Sequence, residues 1–250
     1  RLKIFLRRIC DFLGHPYLAG DAGRVKSLNK ARFYRKLMVV RCLAGMDFDS
    51  NIYLLIGDDP ILVDAGTGMH HQDIMKWLSY TVKQNKVRRI VLTHRHYDHT
   101  GGAAALAKEL GAEVLVHSED ARPVREGDAS QTLASMFGVT GQPVPVTELK
   151  GGEVLSTGTS NFEVIFTPGH TAGGISLWEK EKKILISGDT VFVGGVGRWD
   201  LPSGNFEQLV GSVRKLLSLA PQEIYPGHGD FCQSRAQETI LEALKYLGES

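Results

Sequence analysis

Short apolar runs bounded by glycine, proline and aspartate recur along the chain from about residue 37 onward. Such runs are typical of buried strands, whereas apolar residues that recur every three or four positions are typical of helices. We predict strands at residues 37–43, 51–56, 61–63, 89–92, 113–117, 162–166, 174–178 and 183–186. We predict helices at residues 70–82, 103–110, 119 onward, 205–219 and 234–247. Strands followed by helices in both halves predict a layered α/β fold, with two sheets inside and helices outside.

The bulk composition is that of an ordinary globular protein. The 250 residues are 42% hydrophobic and 23% charged, which suffices for one large domain with its own core. The net charge of +1 does not indicate a polyanionic partner, and no apolar run reaches the ~18 residues that span a bilayer. Cys10, Cys42 and Cys232 have neither metal-binding nor disulfide spacing, so we expect reduced thiols and a cytoplasmic location.

The first part of the chain is strongly basic. Residues 1–41 hold eleven Lys or Arg against two Asp, and residues 4–13 predict a short amphipathic helix. An anionic membrane or a nucleic acid would suit this charge, but the basic residues are widely spread and no aromatic ladder accompanies them. We therefore expect a basic extension, residues 1–36, which packs on the main domain, residues 37–250, or on a second subunit of a homo-oligomer. We expect no nucleic-acid partner.

The densest group of potential metal ligands is the H-x-H-x-D-H motif at residues 94–99. It lies between a predicted strand and a predicted helix. His94 and His96 are two residues apart in extended backbone and point the same way, whereas Asp98 and His99 follow where the chain bends. Neutral imidazoles with a carboxylate suit zinc, iron or manganese. The alternative interpretation is a solvated polar turn.

Three further potential ligands, His170, Asp189 and His228, each follow an apolar run and a glycine or proline turn. Loops at one edge of a sheet sandwich can bring such side chains together while the sheets hold them rigid. Asp64 also ends a strand, and it fits a helix cap as well as it fits a residue that orients a metal-binding imidazole. We assign no ligand role to the remaining histidines, which are His15, His70, His71 and His117.

The order of these ligands resembles the metallo-β-lactamase-fold superfamily over about residues 37–232. The resemblance implies a four-layer αβ/βα sandwich, so that residues 37–250 form the catalytic domain, with metals at one sheet edge. It implies a first metal bound by His94, His96 and His170. It implies a second metal bound by Asp98, His99 and His228. It further implies that Asp189 bridges both metals, that Asp98 and Asp189 are catalytic, and that Asp64 supports the site.

Two divalent metal ions would supply the nucleophile. A hydroxide that bridges two cations forms near neutral pH, because a metal can lower the pKa of water from 15.7 to about 7. Zinc is the expected metal, with iron and manganese as alternatives. The hydroxide attacks a carbonyl carbon, and the cations stabilise the oxyanion. No serine nucleophile is required, and no G-x-S-x-G motif is present.

The segment G-D-T-V-F-V-G-G-V-G-R-W-D, residues 188–200, resembles the short-form glyoxalase II-like branch of the superfamily. This resemblance implies a thioesterase that cleaves S-2-hydroxyacyl thiols such as S-lactoylglutathione. It also implies that Arg198 lies near the carboxylate of the thiol carrier, a contact that a planar guanidinium suits. The alternative for Arg198 is a salt bridge to Asp200.

Other activities remain open from the sequence. A persulfide dioxygenase resembles the same branch and would bind one iron through His94, His170 and Asp189, and a lactonase would use the same attack on an ester. A nuclease has only the basic extension in its favour, and a non-enzymatic metal-binding scaffold does not need the complete ligand set. Residues 123–149 form either a lid over the small-molecule substrate or a passive connection.

Overall fold

The computed structural model describes residues 39–82 and 87–249. Its strands are β1 (Val40–Leu43), β2 (Ile52–Leu55), β3 (Ile61–Val63), β4 (Arg89–Val91), β5 (Glu113–His117), β6 (Thr147–Leu149), β7 (Val154–Ser156), β8 (Asn161–Phe166), β9 (Ile175–Glu179), β10 (Ile184–Gly188) and β11 (Glu223–Pro226). Its α-helices are α1 (His71–Thr81), α2 (Tyr97–Thr100), α3 (Ala103–Leu110), α4 (Ser118–Glu126), α5 (Phe206–Ser218) and α6 (Ala236–Tyr246). A 3₁₀ helix spans Ala134–Phe137.

The strands form two sheets, a six-stranded sheet in the order β1-β2-β3-β4-β5-β6 and a five-stranded sheet in the order β11-β10-β9-β8-β7. Strands β1 to β3 pair antiparallel, and β3 to β6 pair parallel. In the second sheet β7 to β10 pair antiparallel, and β11 is parallel to β10. Because parallel strands end at the same edge of a sheet, their following loops lie close together.

Alternating side chains give each sheet two apolar faces. In β2, Tyr53 and Leu55 belong to the cluster between the sheets, whereas Ile52 and Leu54 belong to the cluster on the outer face. Successive strand residues point to opposite faces, so a strand that is buried on both sides carries an unbroken apolar run. From the second sheet, Phe162 of β8 is fully buried in the same inner cluster.

Helices cover both outer faces. Leu78 of α1 and Leu106 of α3 are fully buried against the first sheet, and Leu216 of α5 and Ile240 of α6 are fully buried against the second. The layers are therefore helix, sheet, sheet and helix, which confirms the α/β sandwich predicted from the sequence. Among the described residues no helix combines the length and the apolar character needed to cross a bilayer.

Most predicted elements agree with the structure to within one or two residues at each end. The predicted elements did not include β6, β7, β11, the one-turn helix α2 or the 3₁₀ helix. Strands β6 and β7 are three residues long, each exposes two side chains, and they lie at the far edges of the two sheets. Pairing with a neighbour therefore determines them more than local pattern does. The basic extension predicted at residues 1–36 lies outside the described residues. Cys42 and Cys232 are free thiols, as expected.

The inner cluster predicts a large stability difference between two positions on neighbouring strands. Phe162→Ala should lower the free energy of unfolding by about 3–5 kcal/mol, because it leaves a cavity between the sheets. Val154→Ala on β7, where the side chain is 61% exposed, should change it by less than about 0.5 kcal/mol. Urea denaturation followed by circular dichroism measures both. Equal effects at the two positions would contradict the assignment of the core.

Candidate metal centre

Seven potential ligands lie at one edge of the sandwich. His94 and His96 follow β4, and Asp98 and His99 lie on the one-turn helix α2. The other three follow β8, β10 and β11, and they are His170, Asp189 and His228. The loops at the carboxyl ends of these strands therefore bring together all seven residues that the sequence singled out.

The first group contains three buried imidazoles. His96 Nδ1 lies 3.1 Å from His94 Nε2 and 2.9 Å from His170 Nε2. Each of the three residues is at most 6% exposed. The three nitrogens could reach a single cation, since the potential ligand atoms of this group all lie within 4.8 Å of one another.

The second group joins one carboxylate with two imidazoles. His228 Nε2 lies 3.0 Å from Asp98 Oδ2 and 3.3 Å from His99 Nε2. His99 is fully buried, whereas the side chains of Asp98 and His228 are 21% and 37% exposed. This group therefore forms the solvent-facing side of the centre.

Asp189 lies between the two groups. Its Oδ1 is 3.3 Å from His99 Nε2, and its Oδ2 is 3.5 Å from His170 Nε2 and 3.6 Å from His228 Nε2. Gly227 makes room for this carboxylate, because a Cβ on that residue would lie 2.0 Å from Asp189 Oδ1. One carboxylate thus faces imidazoles from both groups.

Hydrogen bonds on the far side of three rings fix their orientation. His99 Nδ1 donates to Asp64 Oδ2 at 2.9 Å, and His170 Nδ1 donates to the carbonyl oxygen of Arg198 at 2.6 Å. His94 Nδ1 donates to Thr93 Oγ1 at 3.1 Å, because that hydroxyl gives its own proton to Asp64 Oδ2. With Nδ1 as the donor, each Nε2 presents a lone pair toward the centre, as in metal-binding histidines.

Asp64 supports the centre through hydrogen bonds. It is buried, its backbone has φ of 63°, and it accepts hydrogen bonds from the Thr93 amide at 2.8 Å and from His99. The sequence left a helix cap and an imidazole-orienting role equally open for this residue. The observed contacts are with Thr93, in the loop that carries His94, and with His99, so they favour the imidazole-orienting role.

Crowded nitrogens and one buried oxygen indicate a cation site. His96 Nδ1 lies about 3 Å from the Nε2 atoms of His94 and His170, and Asp189 Oδ1 is buried and has no hydrogen-bond partner. A buried polar atom without a partner costs about 1–3 kcal/mol, and neighbouring nitrogen lone pairs about 3 Å apart repel each other. Cations relieve both costs, so the donor set fits divalent metals that accept imidazole and carboxylate ligands.

The titration behaviour of the ligands agrees with this fit. Burial, reinforced by the His170 ring, lowers the pKa of His96 to about 3, so its lone pair is free at neutral pH. Burial also lowers the pKa of His99, but the carboxylates of Asp189, Asp64 and Asp98 outweigh burial and hold it well above its ordinary value. The field that would keep a proton on His99 equally favours a metal cation, which would displace that proton.

The sequence analysis missed a buried ion pair that joins the ligand loops. Asp120 is fully buried and accepts from the Arg95 amide at 2.9 Å and from Arg95 Nε at 2.8 Å. It also accepts from Thr171 Oγ1 at 2.7 Å and from the Gly173 amide at 2.9 Å. Arg95 lies between His94 and His96, so this one carboxylate holds together the loops after β4 and β8.

Asn51 and Tyr53 were also missed. The Asn51 amide group donates to the carbonyl oxygens of Pro226 at 3.0 Å and Gly229 at 2.9 Å, and the Tyr53 hydroxyl donates to Pro226 at 2.6 Å. These hydrogen bonds attach the turn that contains His228 to the first sheet. No sequence signal distinguishes either residue from an ordinary strand residue.

The surroundings of the centre include Arg198 and the segment of residues 123–149. Arg198 forms a bidentate ion pair with Asp200, in which its Nε and Nη2 atoms lie 2.8–2.9 Å from the two carboxylate oxygens. Both side chains are more than 60% exposed. Within the segment, Gln131 accepts from Arg95 at 3.1 Å and the Thr132 carbonyl accepts from the Tyr97 amide at 2.7 Å. This part of the segment is thus hydrogen-bonded to the stretch that carries the candidate ligands of residues 94–99.

The histidines without an assigned role lie apart from the two groups wherever they are described. His70 contacts Asp49, His71 contacts Glu109, and His117 Nδ1 accepts from the Glu119 amide at the start of α4. His15 lies outside the described residues.

Known proteins are similar to this chain in sequence and in fold. A family model described as the metallo-beta-lactamase superfamily matches residues 45–228. Hydroxyacylglutathione hydrolase GloC of Haemophilus influenzae is 37% identical over 147 residues, which are 57% of this chain and 68% of that protein. Acyl-coenzyme A thioesterase MBLAC2 of Homo sapiens is 29% identical over 232 residues, which are 80% of each chain. The crystal structure of TTHA1623 in a di-iron-bound form is 30% identical, covers 79% of this chain and 96% of that one, and has a TM-score of 0.68.

The hydrogen bond from His99 to Asp64 predicts an effect on metal affinity. Asp64 accepts hydrogen bonds from Thr93 and from His99 Nδ1. In Asp64→Asn the side-chain NH2 group replaces one accepting oxygen and faces one of these donors, so the arrangement that orients His99 is lost. Metal affinity should fall by about 10–100-fold. Competition with a chromophoric chelator measures it. Asp73→Asn, at an exposed position on α1, should leave affinity unchanged; an Asp64→Asn variant that matches this control would disprove the orienting role.

Proposed function

This chain belongs to the metallo-beta-lactamase superfamily, and we propose that it is a thioesterase of glyoxalase II type. The superfamily comprises metal-dependent hydrolases, and the two-sheet sandwich described above is its fold. Within that frame, the proposed substrates are small-molecule thioesters of a 2-hydroxy acid or another carboxylic acid. S-lactoylglutathione is the first substrate to assay.

The observation that carries the proposal is the pair of ligand groups with Asp189 between them. In the first group all the donors are imidazole nitrogens, and the second group adds the carboxylate of Asp98. Two cations held close together repel each other, and a carboxylate shared between them relieves that repulsion. We infer that His94, His96 and His170 bind one metal, that Asp98, His99 and His228 bind the other, and that Asp189 contacts both.

The residues of the chain hold the chemistry in place. When bound, two divalent cations supply the Lewis acidity that makes water nucleophilic near neutral pH and polarises a thioester carbonyl. Burial raises the pKa of Asp189, but His99 and the other imidazoles outweigh burial and hold the carboxylate ionised. Asp98 stays ionised for the same reason, with His99 and His228 beside it. Hydrolysis adds water across the C–S bond and releases a carboxylic acid and a thiol.

Relatives support the thioester class more directly than they support any one substrate. GloC is named for hydroxyacylglutathione hydrolysis and MBLAC2 for acyl-coenzyme A thioester hydrolysis, so the acyl groups and carriers differ while the reacting bond is the same. We propose zinc as the metal. Iron is the main alternative, because the same ligands accept it and TTHA1623 carries two irons in its crystal structure.

Asp189→Ala tests the bridging role. Removing the shared carboxylate should release at least one metal per chain and lower the rate of thioester hydrolysis by more than about 100-fold. This loss exceeds the roughly 10–100-fold typical of replacing a residue that only hydrogen-bonds to a metal ligand. Metal is counted by plasma emission spectrometry, and hydrolysis is followed by thiol release from S-lactoylglutathione and other thioesters.

The same preparations distinguish the alternatives. A wild-type protein with one iron per chain, oxygen uptake on a persulfide and no thioester turnover would favour the dioxygenase and contradict the hydrolase. Turnover of lactones but not of thioesters would favour a lactonase. Full thioesterase activity in Asp189→Ala would refute the bridging assignment.

Arg198→Ala tests the proposed contact with the thiol carrier. We propose that the guanidinium exchanges part of its contact with Asp200 for a carboxylate of the substrate. Its loss should raise KM for an anionic thioester by about 2–5-fold, the size expected of an exposed ion pair. Metal content should not change, because the backbone carbonyl that accepts from His170 is retained.

Arg214→Ala provides the matched control. Arg214 is similarly exposed and is paired with Glu249, and it lies on α5 away from the ligand loops. Its KM should equal that of the wild type. An unchanged KM in Arg198→Ala as well would discard the carrier contact while leaving the metal assignment intact.

A further inference from the structure

We propose that Ser203 is a positioning residue for Arg198. Its hydroxyl attaches the loop of residues 197–205, which we call the carrier loop, to the metal centre, and this attachment favours thioesters whose thiol carrier is anionic. The inference rests on the proposed thioester hydrolysis and on the proposed contact between Arg198 and the carrier. Ser203 lies outside the sequence motifs and outside both ligand groups.

The start of the carrier loop rests on two potential ligands. The Gly197 amide donates to the backbone oxygen of Asp189 at 3.0 Å, and His170 Nδ1 donates to the carbonyl oxygen of Arg198 at 2.6 Å. A Cβ on Gly197 would lie 2.1 Å from that oxygen of Asp189 and 2.7 Å from His170 Nδ1. The absence of a side chain thus lets the loop backbone lie directly against the ligand residues.

The end of the carrier loop is attached through Ser203. Its Oγ accepts from Arg95 Nη2 at 2.5 Å and from the Ala172 amide at 3.1 Å. Arg95 is 4% exposed and belongs to the H-x-H-x-D-H motif, so its charged donor is fixed in place. The Asn205 amide adds a bond to the carbonyl oxygen of Gly169 at 2.8 Å. Both ends of the loop are therefore tied to stretches that carry potential ligands.

The middle of the carrier loop folds back on itself. The Gly204 amide donates to the carbonyl oxygen of Leu201 at 2.8 Å. A Cβ on Gly204 would lie 2.2 Å from the backbone oxygen of Trp199, so the two ends of this turn are in close contact. Because residues 199–204 are so compact, a shift at one end of the turn displaces the other end, which adjoins Arg198.

Backbone strain at Ser203 supports the role of its hydroxyl. The residue has φ of 69°, in the left-handed region that glycine adopts more readily, and its side chain is exposed. Strained residues of this kind persist where the surrounding contacts hold them, and they cluster at functional sites. Neither burial nor backbone conformation calls for a serine here, whereas the two donors aimed at Oγ require an acceptor.

The position of Arg198 affects how well it can bind a carrier. Its side chain is 63% exposed and is paired with Asp200. A guanidinium on an ordered loop loses less conformational entropy when it binds a carboxylate than a guanidinium on a loose loop does. An ordered carrier loop therefore lowers KM for thioesters with an anionic carrier and does not affect uncharged thioesters.

Two substitutions at position 203 separate positioning from stability in the metal-loaded protein. Ser203→Gly removes the hydroxyl and relieves the strain, whereas Ser203→Ala removes the hydroxyl and keeps the strain. Both should raise KM for S-lactoylglutathione by about 2–5-fold, up to the effect of Arg198→Ala, with kcat, metal content and KM for uncharged lactoyl-N-acetylcysteamine unchanged. The alanine variant should melt at a lower temperature than the glycine variant. A merely structural role would make KM follow the melting temperature.

A double-mutant cycle and a matched control sharpen the test. In an Arg198→Ala background, Ser203→Gly should not raise KM further, because a positioning residue acts only through the guanidinium. Lys183→Gly relieves a similar strain, at φ of 55°, in an exposed turn at the opposite end of β10 from Asp189. Its KM should equal that of the wild type.

Nuclear magnetic resonance tests the loop without requiring hydrolysis. In the metal-loaded protein, both substitutions of Ser203 should lower the heteronuclear 15N NOE of residues 198–200, whereas Lys183→Gly should not. Wild-type NOE values in both variants would overturn the inference, whether or not thioesters turn over. So would a wild-type KM in Ser203→Gly, or a KM effect that adds fully to that of Arg198→Ala. Absence of any thioester turnover by the wild type would instead count against the proposed function.

Discussion

The centre depends on holding several imidazole nitrogens at distances at which their lone pairs repel. His96 Nδ1 lies about 3 Å from two other ring nitrogens, and Asp189 presents a buried oxygen without a partner. A chain without a cation gains nothing from such an arrangement, because buried polar atoms need partners. Hydrogen bonds to the surrounding residues hold these ring nitrogens and this carboxylate oxygen in positions from which they could bind a cation.

Buried polar residues next to the strands of the first sheet and on helix α4 supply that support. Asp64 orients His99, Asp120 holds the loop of His94 to the loop of His170, and Asn51 holds the turn of His228. Each of these contacts joins segments far apart in sequence, so the two halves of the chain must pack before the centre exists. Fully satisfied polar networks of this kind rigidify a site, whereas removing one member leaves a buried group unpaired.

The sequence identified the seven side chains that the structure brings together, but not the residues that support them. Four of the seven stand in one short motif, residues 94–99, and His170, Asp189 and His228 each follow a strand. The rule that strand ends meet at one edge of a sheet was therefore enough to predict their proximity. Asp120 looks like an ordinary acidic residue in the first turn of a helix, and only tertiary packing brings Arg95 to it. Edge strands β6 and β7 were not predicted because each exposes two of its three side chains and lacks the buried apolar run of β3, which is equally short.

The central claim is that two metals bind at the two ligand groups with Asp189 between them. Anomalous diffraction at the zinc and iron absorption edges, from crystals of the metal-loaded protein, tests it most directly. The account predicts two peaks, one beside His94, His96 and His170 and one beside Asp98, His99 and His228, each in contact with Asp189. A single peak, or peaks away from these residues, would contradict it.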